Sequence, residues 1–200
     1  MDTLEYIKTK YGLPELKPRM DLPGGRWLGL CKLFAELKFN IGAEIGVETG
    51  AFSEFLCKAN PNLKLYSVDA WTTYSGWNDY NNQERLDEVY EVAKAKLAPY
   101  NCEIIKGFSM DVVKTFADNS LDFVFIDSAH DFQSVTNDIC EWSKKVRKGG
   151  IVSGHDYFRS KGRYTNHVVD VVNSYTYAKG INPWMIIRGD QRSSYMWVKS

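Results

Sequence analysis

Residues 43–53, Ala-Glu-Ile-Gly-Val-Glu-Thr-Gly-Ala-Phe-Ser, read as a short buried strand, a tight glycine turn and the first turn of a helix. Gly46 and Gly50 remove side chains where the backbone must bend and where a ligand can come close. A helix entered this way points its unpaired N–H groups back at the turn. Nineteen residues after Gly50, a second apolar run, Leu65-Tyr-Ser-Val, ends in Asp69. That is about the spacing at which a carboxylate grips a ribose in nucleotide-binding α/β folds. The pair predicts a nucleoside-cofactor site at the carboxyl edge of a parallel sheet.

The same alternation continues outward. Strand one is expected at about 43–48, followed by a helix with Phe52, Phe55, Leu56 and Ala59 on one face and a stop at Asn60-Pro61. Further strands are expected at 64–69, 102–106, 121–127 and 151–153, and helices at about 83–98, after Ser109, behind Asp131 as N-cap, and at 165–177. Leu121-Asp-Phe-Val-Phe-Ile-Asp127 is nearly continuous in apolar character, as suits a central strand buried on both faces. Lys144, Lys145, Arg147 and Lys148 read as dipole compensation at a helix end closed by Gly149-Gly150. Strands at about 183–188 and 194–199 flank Gly189-Asp-Gln-Arg as an antiparallel hairpin, with Arg188-Gly-Asp190 as turn chemistry. Before the alternation come helices at 2–11 and 26–38, joined by a Pro/Gly-rich surface connection from Pro14 to Gly25. The expected organisation is an N-terminal helical extension, 1–40, and one cofactor-binding domain, 41–200.

Two hundred residues, 44% apolar and 25% charged, suit a single α/β domain with a full core. Lys+Arg and Asp+Glu balance at 25 each, so no global basic field holds nucleic acid or an anionic membrane. No apolar run approaches the roughly 18 residues of a membrane span, and the N-terminus lacks a secretory apolar region. Cys31, Cys57, Cys102 and Cys140 are scattered among apolar neighbours and read as buried free thiols of a cytoplasmic protein.

Five βα units closed by a hairpin resemble the class I S-adenosylmethionine-dependent methyltransferases. The resemblance covers roughly residues 40–200. Glu44-Ile-Gly46-Val-Glu48-Thr-Gly50, followed by Gly-x-Phe-Ser53, resembles the small O-methyltransferase-like subfamily grouped with macrocin O-methyltransferase and cephalosporin hydroxylase; Glu48 stands where the family favours a glycine. The family fold is an α/β, Rossmann-like doubly wound, seven-stranded, mostly parallel sheet ending in an antiparallel hairpin. The resemblance implies S-adenosylmethionine as cofactor. It gives the methionine end to the Gly46–Gly50 turn with Glu44, Glu48 and Ser53, the ribose to Asp69, and the adenine to Ala70, Trp71 and Ser109. Asp127-Ser-Ala-His130 and His155-Asp156-Tyr157 resemble the subfamily's signatures after strands four and five, placing Asp127, His130, His155 and Asp156 beside the methyl donor.

An oxygen acceptor needs a base or a metal to become nucleophilic. His130 or His155 is a candidate base, since imidazole titrates near pH ~6.5. Asp127 and Asp156, with or without His155, are the alternative as Mg²⁺ ligands. The implied partner is a small hydroxylated acceptor of sugar or natural-product type. The loops 71–82 and 157–164 would enclose it, with Trp71, Tyr74, Trp77 and Tyr80 to stack and Arg159, Lys161 and Arg163 to meet an acidic group. A homo-oligomer stays open. So does a catalytically silent S-adenosylmethionine-binding regulatory domain. A nicotinamide oxidoreductase would need Gly-x-Gly-x-x-Gly, which Gly46–Gly50 does not supply. Glu48 also disfavours a pyrophosphate, because a carboxylate repels it, and suits a cationic amino group and sulfonium.

Overall fold

The computed structural model describes residues 2–74, 81–160 and 166–200. Among them one sheet of eight strands forms. Helix α1 (Thr3–Lys10), strand β1 (Arg19–Leu22), a π-helical turn (Gly25–Leu30) and α2 (Cys31–Glu36) precede the alternating units. These are β2 (Ile41–Ile45), α3 (Ala51–Ala59), β3 (Lys64–Asp69), α4 (Gln83–Leu97), β4 (Cys102–Lys106), α5 (Ser109–Val112), β5 (Leu121–Ile126), α6 (Phe132–Lys145), β6 (Val146–Gly154) and α7 (Val168–Ala178). Strands β7 (Trp184–Ile187) and β8 (Ser194–Val198) close the chain, and the sheet runs in the order β1-β7-β8-β6-β5-β2-β3-β4. Asn82 and Asp131 cap α4 and α6 by accepting the N–H groups of Arg85 and Ser134.

The Rossmann-like α/β arrangement and the antiparallel β7–β8 hairpin agree with the sequence reading. Two segments differ. The expected surface connection 14–25 contains β1, which pairs in parallel with β7 and adds an eighth strand at the sheet's edge. Its alternation is real, with Met20 and Leu22 buried between exposed neighbours, but four residues bounded by Pro18 and Pro23 leave little pattern to read. Strand β6 begins at Val146, five residues before the expected start, and absorbs Arg147 to Gly150. Its register against β5 shifts between Leu121 and Phe123, and a Cβ on Gly150 would lie 2.4 Å from the Asp122 carbonyl oxygen. Arg147 pairs with Asp122 at 2.6 Å and Lys145 with Asp118 at 2.7 Å, so part of the basic cluster serves ion pairs to the neighbouring segment.

Alternation along β5 divides the core. Phe123 and Phe125 join Phe34, Phe39 and Phe52 on the face covered by α1–α3. Val124 and Ile126 join Ile139, Trp142 and Val172 on the face of α6 and α7. Strand β2 lies between β3 and β5, with the chain winding away in both directions from that point. Ligands of open α/β sheets bind at the carboxyl ends of the strands at such a switch point.

Candidate active site

The turn after β2 is held down from both sides. The Gly46 N–H donates to Val68 O at 2.9 Å, and the Asp127 N–H to Ile45 O at 2.7 Å. Gly46 has φ +88°, and a Cβ there would lie 2.1 Å from the Asp127 carbonyl oxygen, so no side chain fits. Glu48 has φ +50°, the left-handed conformation that a glycine adopts without cost. The departure from the family's glycine pattern thus keeps the glycine geometry and adds a carboxylate to the cleft.

Asp69 ends β3 and takes hold of this turn. Its Oδ2 accepts the N–H groups of Val47 at 2.8 Å and Glu48 at 2.9 Å, and its Oδ1 accepts that of Trp71 at 3.1 Å. A carboxylate has about four acceptor positions. Three go to backbone here, so the residue assigned to a ribose is first an organiser of the βα turn.

A cleft of about 750 Å³ opens over the ends of β5, β2, β3 and the turn after β4. Of the residues singled out in the sequence, Glu44, Gly46, Glu48, Asp69, Ala70, Ser109, Asp127 and His130 line it. Three predicted cofactor residues, Gly50, Ser53 and Trp71, are not part of its lining. Gly50, at φ +73°, has its α-carbon turned to Leu97 of α4, where a Cβ would lie 3.0 Å from Cδ1. Trp71 is fully buried, its indole N–H donating to Glu48 O at 2.9 Å and its ring packed on Tyr90. Its φ of +39° turns it into a satellite core with Val47, Ala93 and Leu97, so it has no surface to offer an adenine. Ser53 is also fully buried, because it lies in the first turn of α3 on the helix face shared with Phe52, Leu56 and Cys57, which packs inward. Its hydroxyl donates to Glu44 and meets Ser67 Oγ at 2.6 Å. Burial raises the Glu44 pKa well above the carboxylate range, against the lowering effect of that hydrogen bond.

Asp127, His130, His155 and Asp156 do converge. His130 Nε2 lies 2.9 Å from Asp156 Oδ2 and 3.8 Å from Asp127 Oδ1. His155 Nδ1 lies 3.2 Å from Asp156 Oδ1 and 3.5 Å from Asp127 Oδ2. Burial lowers the pKa of His130, but Asp127 and Asp156 outweigh it and hold the imidazolium, with a pKa of about 9. Burial also works against the charge of Asp127, and there His130, His155 and Arg26 prevail and keep the carboxylate ionised. Asp127 and His130 line the cleft, while His155 and Asp156 stand behind them, Asp156 in a left-handed turn at φ +55°. Asp127, His130 and Asp156 each offer a ligand atom within 4.8 Å of the others. Two carboxylate oxygens and an imidazole nitrogen suit a hard divalent cation. The third member is His130, where the sequence reading weighed His155.

Arg26 and Asp138 are cleft residues that the sequence reading did not single out. Arg26, from the π-helical turn, reaches Asp127 Oδ2 with Nη1 at 2.6 Å. Its guanidinium lies 4.8 Å from the Trp27 ring and 5.5 Å from that of Phe52. Nothing local in the sequence marks it. Asp138 did carry a signal: it falls on the apolar face of α6, between Val135 and Trp142. Its carboxylate accepts from Ser109 and Ser128, and burial raises its pKa against those two hydrogen bonds. Ser109, read as an adenine contact or an N-cap, spends its hydroxyl on Asp138 and on the Trp142 N–H at 2.8 Å. Phe108, 47% exposed at the mouth, has Tyr74 edge-on at 6.1 Å. Arg159 pairs outward with Asp170 at 3.0 Å; Trp77, Tyr80, Lys161 and Arg163 lie outside the described residues.

Comparisons with known proteins bear on the fold and the family. No curated protein sequence matches the chain. Among solved structures, the O-methyltransferase TomG from Streptomyces achromogenes, in complex with SAM, superposes with a TM-score of 0.63 at 17% identity, over 100% of this chain and 91% of that one. An O-methyltransferase from Bacillus cereus, in complex with SAH, gives 0.61 at 15% identity, over 100% and 91%. Precorrin-6y C5,15-methyltransferase from Geobacter metallireducens gives 0.60 at 12% identity, over 86% of each chain. At these identities the likeness establishes the fold. A family model described as a methyltransferase domain matches residues 43–157, which is more than half of the chain and spans every strand end of the cleft, and the chain belongs to that family.

Proposed function

We propose that the protein is an S-adenosylmethionine-dependent O-methyltransferase acting on a small hydroxylated metabolite of sugar or natural-product type. The observation that carries this reading is the Asp127–His130–Asp156 cluster at the ends of β5 and β6, beside the cleft over β2 and β3. The cofactor supplies a sulfonium methyl group, and a divalent cation held by Asp127, His130 and Asp156 would lower the pKa of an acceptor hydroxyl.

This chain's residues supply placement and charge. The Gly46–Gly50 turn presents Glu48 to a cationic amino group, and the rim of Ala70, Tyr74 and Phe108 suits an adenine. Methyl transfer is an in-line displacement, so alignment of the two reactants carries much of the acceleration. Asp127 and His130 reach the cleft and would orient the acceptor oxygen. His155 braces both carboxylates from behind. His130 is a base only after losing the proton that its two carboxylates favour; binding of a cation would displace that proton. Formation of S-adenosylhomocysteine from S-adenosylmethionine across a panel of sugars, phenols and catechols, with Mg²⁺ or with EDTA, tests the reading. Turnover with a hydroxylated acceptor that EDTA abolishes is expected. Binding of S-adenosylmethionine without turnover on any acceptor would favour a silent regulatory domain.

A further inference from the structure

The cleft is lined by five carboxyl groups, those of Glu44, Glu48, Asp69, Asp127 and Asp138, of which burial shifts Glu44 and Asp138 toward the neutral form. Among the described lining residues, Arg26 is the only arginine or lysine. Nη1 of its guanidinium is engaged by Asp127 at 2.6 Å. Its Nε–H is buried and finds no acceptor among the described residues. Nε shares an edge of the planar guanidinium with Nη2, the edge that side-on arginine offers to a carboxylate in bidentate pairing. The rings of Trp27 and Phe52 flank the group and fix its position. Below it, the Arg26 backbone N–H donates to Asp190 Oδ2 at 2.5 Å, and the Gly25 N–H to Arg188 O at 2.9 Å, so the β7–β8 turn anchors the residue from which the side chain reaches in.

We propose that Arg26 is the carboxylate anchor of the cofactor, pairing through Nε and Nη2 with the α-carboxylate of its methionine moiety. The inference rests on the reading of this cleft as an S-adenosylmethionine site. An amino acid's ammonium group and a sulfonium suit the acidic lining; its carboxylate does not, and needs a cation with an edge to spare, which Arg26 offers, whereas the His130 imidazolium faces Asp156 and Asp127. The position agrees. Arg26 touches the first turn of α3 and the end of β5, whereas Phe108 stands after β4, three strands along the edge. At about 4.8 Å per strand that separation is roughly 14 Å. An adenosine joined to an amino acid spans the cleft lengthwise, with adenine at Phe108 and carboxylate at Arg26.

The test compares S-adenosylmethionine with decarboxylated S-adenosylmethionine, which lacks only the carboxylate, by titration calorimetry of the wild type, R26K and R26M. The wild type is expected to bind the carboxylate-bearing ligand roughly 10- to 100-fold more tightly. R26M should lose most of that preference by weakening S-adenosylmethionine alone. R26K preserves a cation for Asp127 and so preserves the fold, and should lose part of the preference because it has no planar fork. Equal affinity of the wild type for both ligands, or equal losses for both in R26K, would overturn the assignment. A variant effect on acceptor KM with cofactor affinity unchanged would place Arg26 in the acceptor site instead and equally overturn it. If the wild type binds neither ligand, it is the cofactor reading of the cleft that fails.

Discussion

His130 Nε2 lies 2.9 Å from Asp156 Oδ2, joining the loops that leave β5 and β6. Two carboxylates on one buried imidazole raise its pKa to about 9 in the folded chain, against 6.5 as the ordinary value. The folded-state pKa is raised, so the stabilisation is full below about pH 6.5 and is lost as pH rises through about 9. For metal-free protein, the urea midpoint should therefore fall between these pH values, and that fall should be missing in His130→Gln. The same slope in wild type and variant would assign it to other groups.

A divalent cation changes this balance, because it competes with the proton for the same atoms. Binding of Mg²⁺ or Mn²⁺ at neutral pH should release a proton to the buffer, visible as a buffer-dependent calorimetric enthalpy. Asp127→Asn should lower turnover by about 100-fold or more. It should leave affinity for S-adenosylhomocysteine within a few-fold, because the proposed role of Asp127 is to orient the acceptor oxygen and not to hold the cofactor. Full activity after exhaustive chelation would remove the cation and leave positioning by Asp127 and His130 alone.

Asp69→Ala separates two roles. Three backbone N–H groups, those of Val47, Glu48 and Trp71, would lose their acceptor. Each buried donor left unpaired costs about 1–3 kcal/mol. Thermal stability and cofactor affinity should fall together, since the turn proposed to receive the methionine end depends on the same bonds. A loss of affinity at unchanged melting temperature would make Asp69 a ligand contact only.

Glu44 is 2% exposed, bonded to Ser53, and shifted by burial toward its neutral form. A neutral acid and an amide have nearly the same shape and a donor in the same place. Glu44→Gln should change unfolding free energy by less than about 1 kcal/mol, whereas Glu44→Ala leaves a cavity and deprives the Ser53 hydroxyl of its acceptor, for roughly 2 kcal/mol or more. Chemical denaturation at pH 7 checks both. A large loss in Glu44→Gln would show that the carboxylate is needed ionised.

How much of this could be read from the chain depended on range. The strands from β2 to β5 and their helices carry strong periodicity, and the strand-end acids and histidines follow the strands, so Asp69, Asp127, His130 and Asp156 were legible by position. Their partners were not. Ser53 and Trp71 sit in the right segments, but helix phase and a left-handed backbone at Trp71 turn them inward, and residue type does not report either. Strand β1 is four residues long and pairs with β7 more than 160 positions away. Arg26 reaches Asp127 across 101 positions, because β1 and the β7–β8 turn carry the N-terminal segment to the cleft. Such contacts have no local signature. Asp138 was the one missed residue with a visible clue, a carboxylate on the buried face of an amphipathic helix.

The central claim, that the cleft over β2 and β3 is an S-adenosylmethionine site, is tested most directly by titrating S-adenosylhomocysteine and NAD separately into the purified protein. The account predicts saturable binding of one S-adenosylhomocysteine per chain, with a rise in melting temperature that grows with ligand concentration, and no response to NAD. A response to NAD with none to S-adenosylhomocysteine would contradict it.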